Sequence, residues 1–158
     1  MNVLEEVEAI RQLKYRYLRA VDCKLWDLLA STFAVDAVSA YDSGKNAYVG
    51  RDAIVAWLRN AMENQVVTMH QVHHPEIELT SPTTARGTWY LEDRVINDGP
   101  KLPEMPAHSI LFGTAYYSDE YVKRDGQWQI SKTGYERIYV EIRPFEKPAV
   151  FQSRWAGR

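Results

Sequence analysis

Cysteine is nearly missing: Cys23 is the single one in 158 residues. It has no partner for an internal disulfide and cannot build a multi-cysteine zinc centre, so a reducing cytoplasm is the expected compartment. An excess of one charge is lacking too, since 19 Lys and Arg stand against 21 Asp and Glu, a formal net charge of −2. With no basic run to track a phosphate backbone, nucleic acid is not an expected partner. No apolar stretch approaches the ~18–20 residues needed to cross a bilayer, and a membrane partner is not expected either. The acidic, amphipathic start MNVLEEVEAIRQ does not resemble a secretory signal. Phosphate loops, a Rossmann glycine fingerprint and a nucleophile elbow are all absent. Rings, by contrast, are plentiful: ten Tyr and five Trp are many polar-tipped rings for one small core, and suggest a lined cavity.

The length fits one domain. Leu4, Val7, Ile10, Leu13, Tyr17, Leu18 and Val21 recur at three- and four-residue steps, which predicts a helix with one apolar stripe. A short helix over Leu25–Phe33, a strand over Val35–Tyr41 and a turn at Asp42–Asn46 follow. Gly50-Arg51-Asp52 opens a third helix with Asp52 as its N-cap and Ile54, Val55, Trp57, Leu58 and Met62 on its apolar side. Beyond Asn64 the period changes. Val66–His74, Glu76–Thr80, Ala85–Ile96, His108–Arg124 and Gln127–Ile142 are rich in β-branched and aromatic residues and read as strands. Ser81–Thr84 and Asp125-Gly126 are hairpin turns, and Asn97–Pro106 is a loop. Helices first and long antiparallel strands afterwards mean α+β: a strongly curved sheet, cone-shaped, with the N-terminal helices packed on its concave side and a pocket between the layers.

Functional residues are sought where a polar group falls on a face that the pattern buries. In Ala85–Ile96 the odd positions are apolar except Asp93. A carboxylate there either pairs with an arginine or serves as a perturbed acid. Tyr17 lies within the first helix's apolar stripe. Asp22, at that helix's C-terminus, is disfavoured by the macrodipole, by roughly 0.3–1 kcal/mol, and calls for a compensating partner. His70, His73 and His74 supply candidates; strand alternation places His70 and His74 on one face and His73 on the other, so the three do not converge on one zinc. A histidine on an apolar strand face is either a satisfied core residue or a base whose tautomer a nearby acid fixes. In the last strand Tyr135, Arg137 and Tyr139 share a face, where Arg137 meets Asp93 or an anionic ligand.

The order of elements and the pairing of Asp22 with His70 resemble the SnoaL-like branch of the nuclear-transport-factor-2-like (NTF2-like) superfamily. AIRQLKYRYLRAVDCKLWD from Ala9, MHQVHHPEIEL from Met69, GTWYLED from Gly87, and YVKRDGQWQI with TGYERIY from Tyr121 are similar to the bile acid 7α-dehydratase family. The resemblance implies a catalytic domain over residues 1–142, followed by a tail, 143–158, near the pocket or a subunit interface. It implies catalytic roles for Tyr17, Asp22, His70 and Asp93, and a pocket lined or supported by Tyr41 and Arg137; Trp89 and Tyr116 are further expected substrate-binding rings. The implied reaction is loss of water from a 7α-hydroxy-3-oxo-Δ4 steroid (a bile acid), with no metal and no organic cofactor, in a homotrimer. His70 would be the general base, Asp22 its support, Tyr17 the donor to a developing dienolate and a protonated Asp93 the donor to the departing hydroxyl, or the last two roles exchanged. Alternatives are a dehydratase or isomerase of another polycyclic ketone, or a non-catalytic ligand-binding or structural subunit.

Overall fold

The computed structural model describes residues 2–62, 66–102, 105–145 and 150–155. Of the expected tail, 143–158, residues 146–149 and 156–158 lie outside that set. The elements are α1 (Val3–Asp22), α2 (Trp26–Ser31), β1 (Phe33–Tyr41), β2 (Asn46–Val49), α3 (Arg51–Met62), β3 (Val66–Ser81), β4 (Thr84–Asn97), β5 (Ser109–Arg124) and β6 (Gln127–Pro144). The strands form one sheet in the order β2-β1-β6-β5-β4-β3, antiparallel except where β1 runs parallel to β6. Three helices cover one face, which is the α+β arrangement expected. Among the described residues no helix is long and apolar enough to cross a membrane.

Helix α1 begins where the Asn2 side chain accepts from the Leu4 amide, with Glu5 and Glu6 in the first turn favoured by the macrodipole. Its buried stripe contains Ile10, Leu13, Tyr17, Leu18 and Val21, as the spacing predicts, but also Lys14. The helix stops in a Schellman turn: the Lys24 amide bonds the Val21 carbonyl, the Leu25 amide bonds the Ala20 carbonyl, and Lys24 takes a φ of 54°. Glycine is the usual residue there. A lysine instead lets Nζ reach the Met62 and Val66 carbonyls, the latter at 2.7 Å, tying the end of α1 to the end of α3 and the start of β3. That tie sets the direction in which Asp22, the last residue of the helix, points.

Glu6 fastens the other end of α1. Its carboxylate accepts from Lys123 Nζ at 2.8 Å and from Trp128 Nε1 at 2.7 Å, beside the β5–β6 hairpin whose Asp125 and Gly126 both have positive φ. The hydrogen bonds from Lys123 and then Trp128 hold this carboxyl below its ordinary value of 4.5. A depressed carboxyl stabilises the fold above the unfolded-state value and ceases to do so as pH falls through the folded-state value. Glu6→Gln is therefore expected to melt at lower temperature than the native chain at pH 7, with the gap narrowing in acid. Thermal melts at pH 7 and pH 3 check this; the same gap at both would remove the ionic contribution.

Several expectations are corrected. Asp52 does not cap α3, since the helix begins at Arg51 and the Ile54 amide bonds the Gly50 carbonyl. The α2 helix ends at Ser31 because the Thr32 carbonyl accepts from the Ile130 amide, which draws Phe33 into β1. The short strand β2 was not read from the sequence, four residues between a turn and a glycine being too few to show alternation. The two strands expected across 66–80 are one strand with a register shift between His73 and Glu76, where His74 has a φ of 47°. This bulge reverses the inward phase: Val66, Thr68, His70 and Val72 face the helices before it, Ile77 and Leu79 after it. His74 consequently leaves the face it was expected to share with His70 and is exposed.

Candidate active site

The inward faces of β3, β4, β5 and β6 meet α1 and α3 around a cavity of about 430 Å³, within the range of sites that hold drug-sized ligands. Leu18, Val21, Leu58, Val66, Val95 and Leu111 give it apolar walls. Its polar groups lie in three sets.

The first is Asp22 with His70. His70 Nδ1 stands 2.6 Å from Asp22 Oδ1, the His70 backbone amide donates to Oδ2 at 2.9 Å, and Thr68 Oγ1 donates to Oδ1 at 2.7 Å. An ionised carboxylate only accepts, so this pattern places a proton on Nδ1, and in the neutral ring Nε2 is then the nitrogen with the lone pair. The His70 side chain is 10% exposed and lines the cavity; Asp22 stands behind it rather than on the wall. Three donors supply the compensation that an acid at a helix C-terminus requires.

The second set is phenolic. Tyr17 and Tyr41 hydroxyls are 3.0 Å apart, both rings are buried and both line the cavity with Tyr117 and Tyr135. Burial pushes the Tyr17 hydroxyl above the ordinary phenol value, with the hydrogen bond from Tyr41 pulling the other way. Burial likewise raises Tyr41 and pushes Tyr135 up to about 12. These groups stay protonated at neutral pH and can donate. Trp57 of α3 extends the wall as a stack, its ring 5.1 Å from Tyr41 and 5.3 Å from Tyr48.

The third set is Asp93 with Arg137. Cross-strand register places Asp93 opposite His70 on β3 and opposite Gly113 on β5. Arg137 Nη1 and Nη2 donate to the two Asp93 oxygens at 2.6 and 2.8 Å, a two-pronged ion pair. Desolvation is the largest single influence and works against the guanidinium charge, but the hydrogen bond to Asp93 together with the electrostatic interactions with Tyr135, Asp93 and Tyr117 holds Arg137 above its ordinary value. Gly113 makes room, because a Cβ there would stand 2.6 Å from Asp93 Oδ1. Of the two readings open for Asp93, this is the arginine pair. Both oxygens accept, so the protonated-acid role is replaced by one in which Asp93 holds Arg137 at the cavity wall.

Two expected substrate contacts lie elsewhere. Trp89 is fully buried and donates through Nε1 to Tyr121 at 2.8 Å; it is a core ring. Tyr116 is 47% exposed and packs edge-on against Tyr90 on the outer face, while its neighbour Tyr117 faces inward. Both phases of β5 carry tyrosines, so alternation alone did not choose between them. Tyr139 does not share the Arg137 face either: a register shift at Thr114/Ala115 sets it opposite Thr114, with its ring 6.1 Å from Phe112. Thr68, Trp57, Tyr117 and Tyr135 went unassigned as site residues. The signal for Thr68 was present, two residues before His70 on the same strand face. Among the described residues no group of three or more His, Cys, Asp or Glu is gathered.

An α+β fold holding a histidine–carboxylate pair at an apolar cavity defines a class of small-molecule site. The family model of the SnoaL-like domain matches residues 2–134, and the chain belongs to that family, within the NTF2-like fold. Among solved structures it is similar to a type 2 hexachlorocyclohexane dehydrochlorinase LinA, with 24% identity, a TM-score of 0.78, and 93% of this chain and 97% of that one covered. A second LinA structure matches at 25% identity and a TM-score of 0.74, with 95% of each chain covered. A protein from Novosphingobium aromaticivorans described as a candidate scytalone dehydratase matches at 22% identity and a TM-score of 0.70, covering 98% of this chain and 93% of that one.

Proposed function

We propose that the protein is a hydro-lyase that removes water from a 7α-hydroxy-3-oxo-Δ4 steroid of the bile acid type, giving the 4,6-diene. The observation that carries an elimination is the His70 imidazole, held through Nδ1 by Asp22 and lining an apolar cavity that also holds phenol donors. The choice of steroid rests on the sequence resemblance to the bile acid 7α-dehydratase family, and the cavity's size and apolar walls are compatible with it. Conjugation to the C3 ketone acidifies the C6 hydrogen, and His70 Nε2 takes that proton. The ketone oxygen, carrying the developing dienolate charge, accepts from Tyr17, whose hydroxyl is itself oriented by Tyr41. The C7 hydroxyl departs beside Arg137, which keeps N–H donors beyond the two given to Asp93. The imidazolium returns its proton to the departing oxygen, so water leaves and His70 is restored. The change is redox-neutral and its atoms balance without a co-reactant.

The test is incubation with 7α- and 7β-hydroxy-3-oxo-Δ4 steroids, each as free acid and as coenzyme A thioester, following the absorbance of the extended dienone. Turnover of a 7α compound supports the reading and identifies the form used. Tight steroid binding with no dienone would favour a binding subunit and overturn it.

A further inference from the structure

The structure assigns Thr68 as the positioning residue that locks Asp22 and, through it, the tautomer of His70; this deepens the base role proposed above. Two of the three hydrogen bonds on the Asp22 carboxylate come from His70 itself, one from its ring and one from its backbone amide. The first moves with the imidazole, whereas the second is fixed by the β3 backbone and holds only Oδ2. The Thr68 hydroxyl, donating to Oδ1 at 2.7 Å, is the one side-chain anchor among the described residues that does not belong to the group being positioned. The carboxylate has no proton to give, so the direction of this bond is fixed. Thr68 is 8% exposed, which shelters the bond from competing water.

The geometry follows from strand spacing. Residues 68 and 70 project from the same face of β3, about two strand steps apart, a separation that one carboxylate bridges. By occupying part of Oδ1, the hydroxyl leaves the ring N–H a narrower direction of approach. That keeps Nδ1 protonated and Nε2 bare. Without it, Asp22 turns about its Cβ–Cγ bond and the ring samples the other tautomer, in which Nε2 carries the proton and cannot accept one.

Thr68→Val tests this, because valine keeps the branched shape that suits a strand and removes only the donor. Thr68→Ser keeps the donor, and Thr68→Ala is the second donor-free variant should valine not fold. The first readout is the pair of imidazole ¹⁵N signals of His70 at a pH where the ring is neutral, identified by their loss in His70→Gln. The native chain and Thr68→Ser are expected to show one protonated and one bare nitrogen. In Thr68→Val the two shifts should move toward each other as both tautomers become populated. The second readout is turnover, with kcat about tenfold lower in Thr68→Val, KM within about twofold, and recovery in Thr68→Ser. Tautomer signals in Thr68→Val identical to those of the native chain would overturn the assignment. That measurement uses no substrate, so an error in the proposed reaction does not affect it, and dehydration alongside an unchanged spectrum would sink the Thr68 role alone.

Discussion

His70→Ala is expected to lower kcat for dehydration by about 10²–10⁴-fold, the range that a positioned general base supplies, while the melting temperature stays near that of the native chain. The second half of that expectation comes from the hydrogen bonds. Asp22 loses the imidazole but keeps the Thr68 hydroxyl and the residue-70 backbone amide, so no buried carboxylate is left without donors. The register with Asp93 is carried by the backbone and also survives. Dienone absorbance and a thermal melt on the same sample separate the two effects. A variant that turns over normally would remove His70 from the chemistry; one that unfolds would show that the ring mainly holds β3 to α1.

Lys14→Met should have the largest effect on stability. Lys14 and Asp119 form an ion pair at 2.7 Å with both side chains fully inaccessible. The ammonium also lies 3.3 Å from the centre of the Tyr117 ring, while Asp119 accepts from Thr133 and Tyr121 at 2.7 and 2.8 Å. Burial lowers the proton affinity of Lys14, and Asp119 opposes that. Methionine fills the space but leaves Asp119 ionised in the core with only neutral donors, at a cost of about 3–5 kcal/mol. Against a total of about 5–15 kcal/mol for a domain, that is severe. Lys14→Met/Asp119→Asn removes both charges, keeps one oxygen as acceptor for Thr133 while the amide nitrogen faces the Tyr121 hydroxyl, and should recover part of the loss. Urea unfolding of the two variants decides the matter, and a single variant within about 1 kcal/mol of the native chain would show that the pair contributes little.

Much of the fold could be read along the chain because its signals are local. The α1 stripe, the Asp-Gly hairpin and the inward run Ala85–Asp93 each follow from residues within one element. The pairing of Asp22 with His70 was legible for a different reason. An acid at a helix C-terminus and a histidine on an apolar strand face are each anomalous alone, and each accounts for the other. Trp89, Tyr116 and Tyr139 were misplaced because a ring is equally at home in a core, on a cavity wall or on an outer sheet face. Lys14 was passed over because its side chain looks solvated until Asp119, 105 positions away, is brought beside it.

By itself, then, the sequence determined the order and period of the helices and of most strands, the inward phase of β4 and the pairing of Asp22 with His70. Tertiary structure alone decided which tyrosines face the cavity, where the bulge in β3 turns His74 outward, and that Asp93 is paired with Arg137 across Gly113. The physical reason is range. A period of two records that a strand has two faces, but the partner strands and the helices above them select which face is buried. A carboxylate's charge state likewise depends on a donor whose distance along the chain carries no local trace.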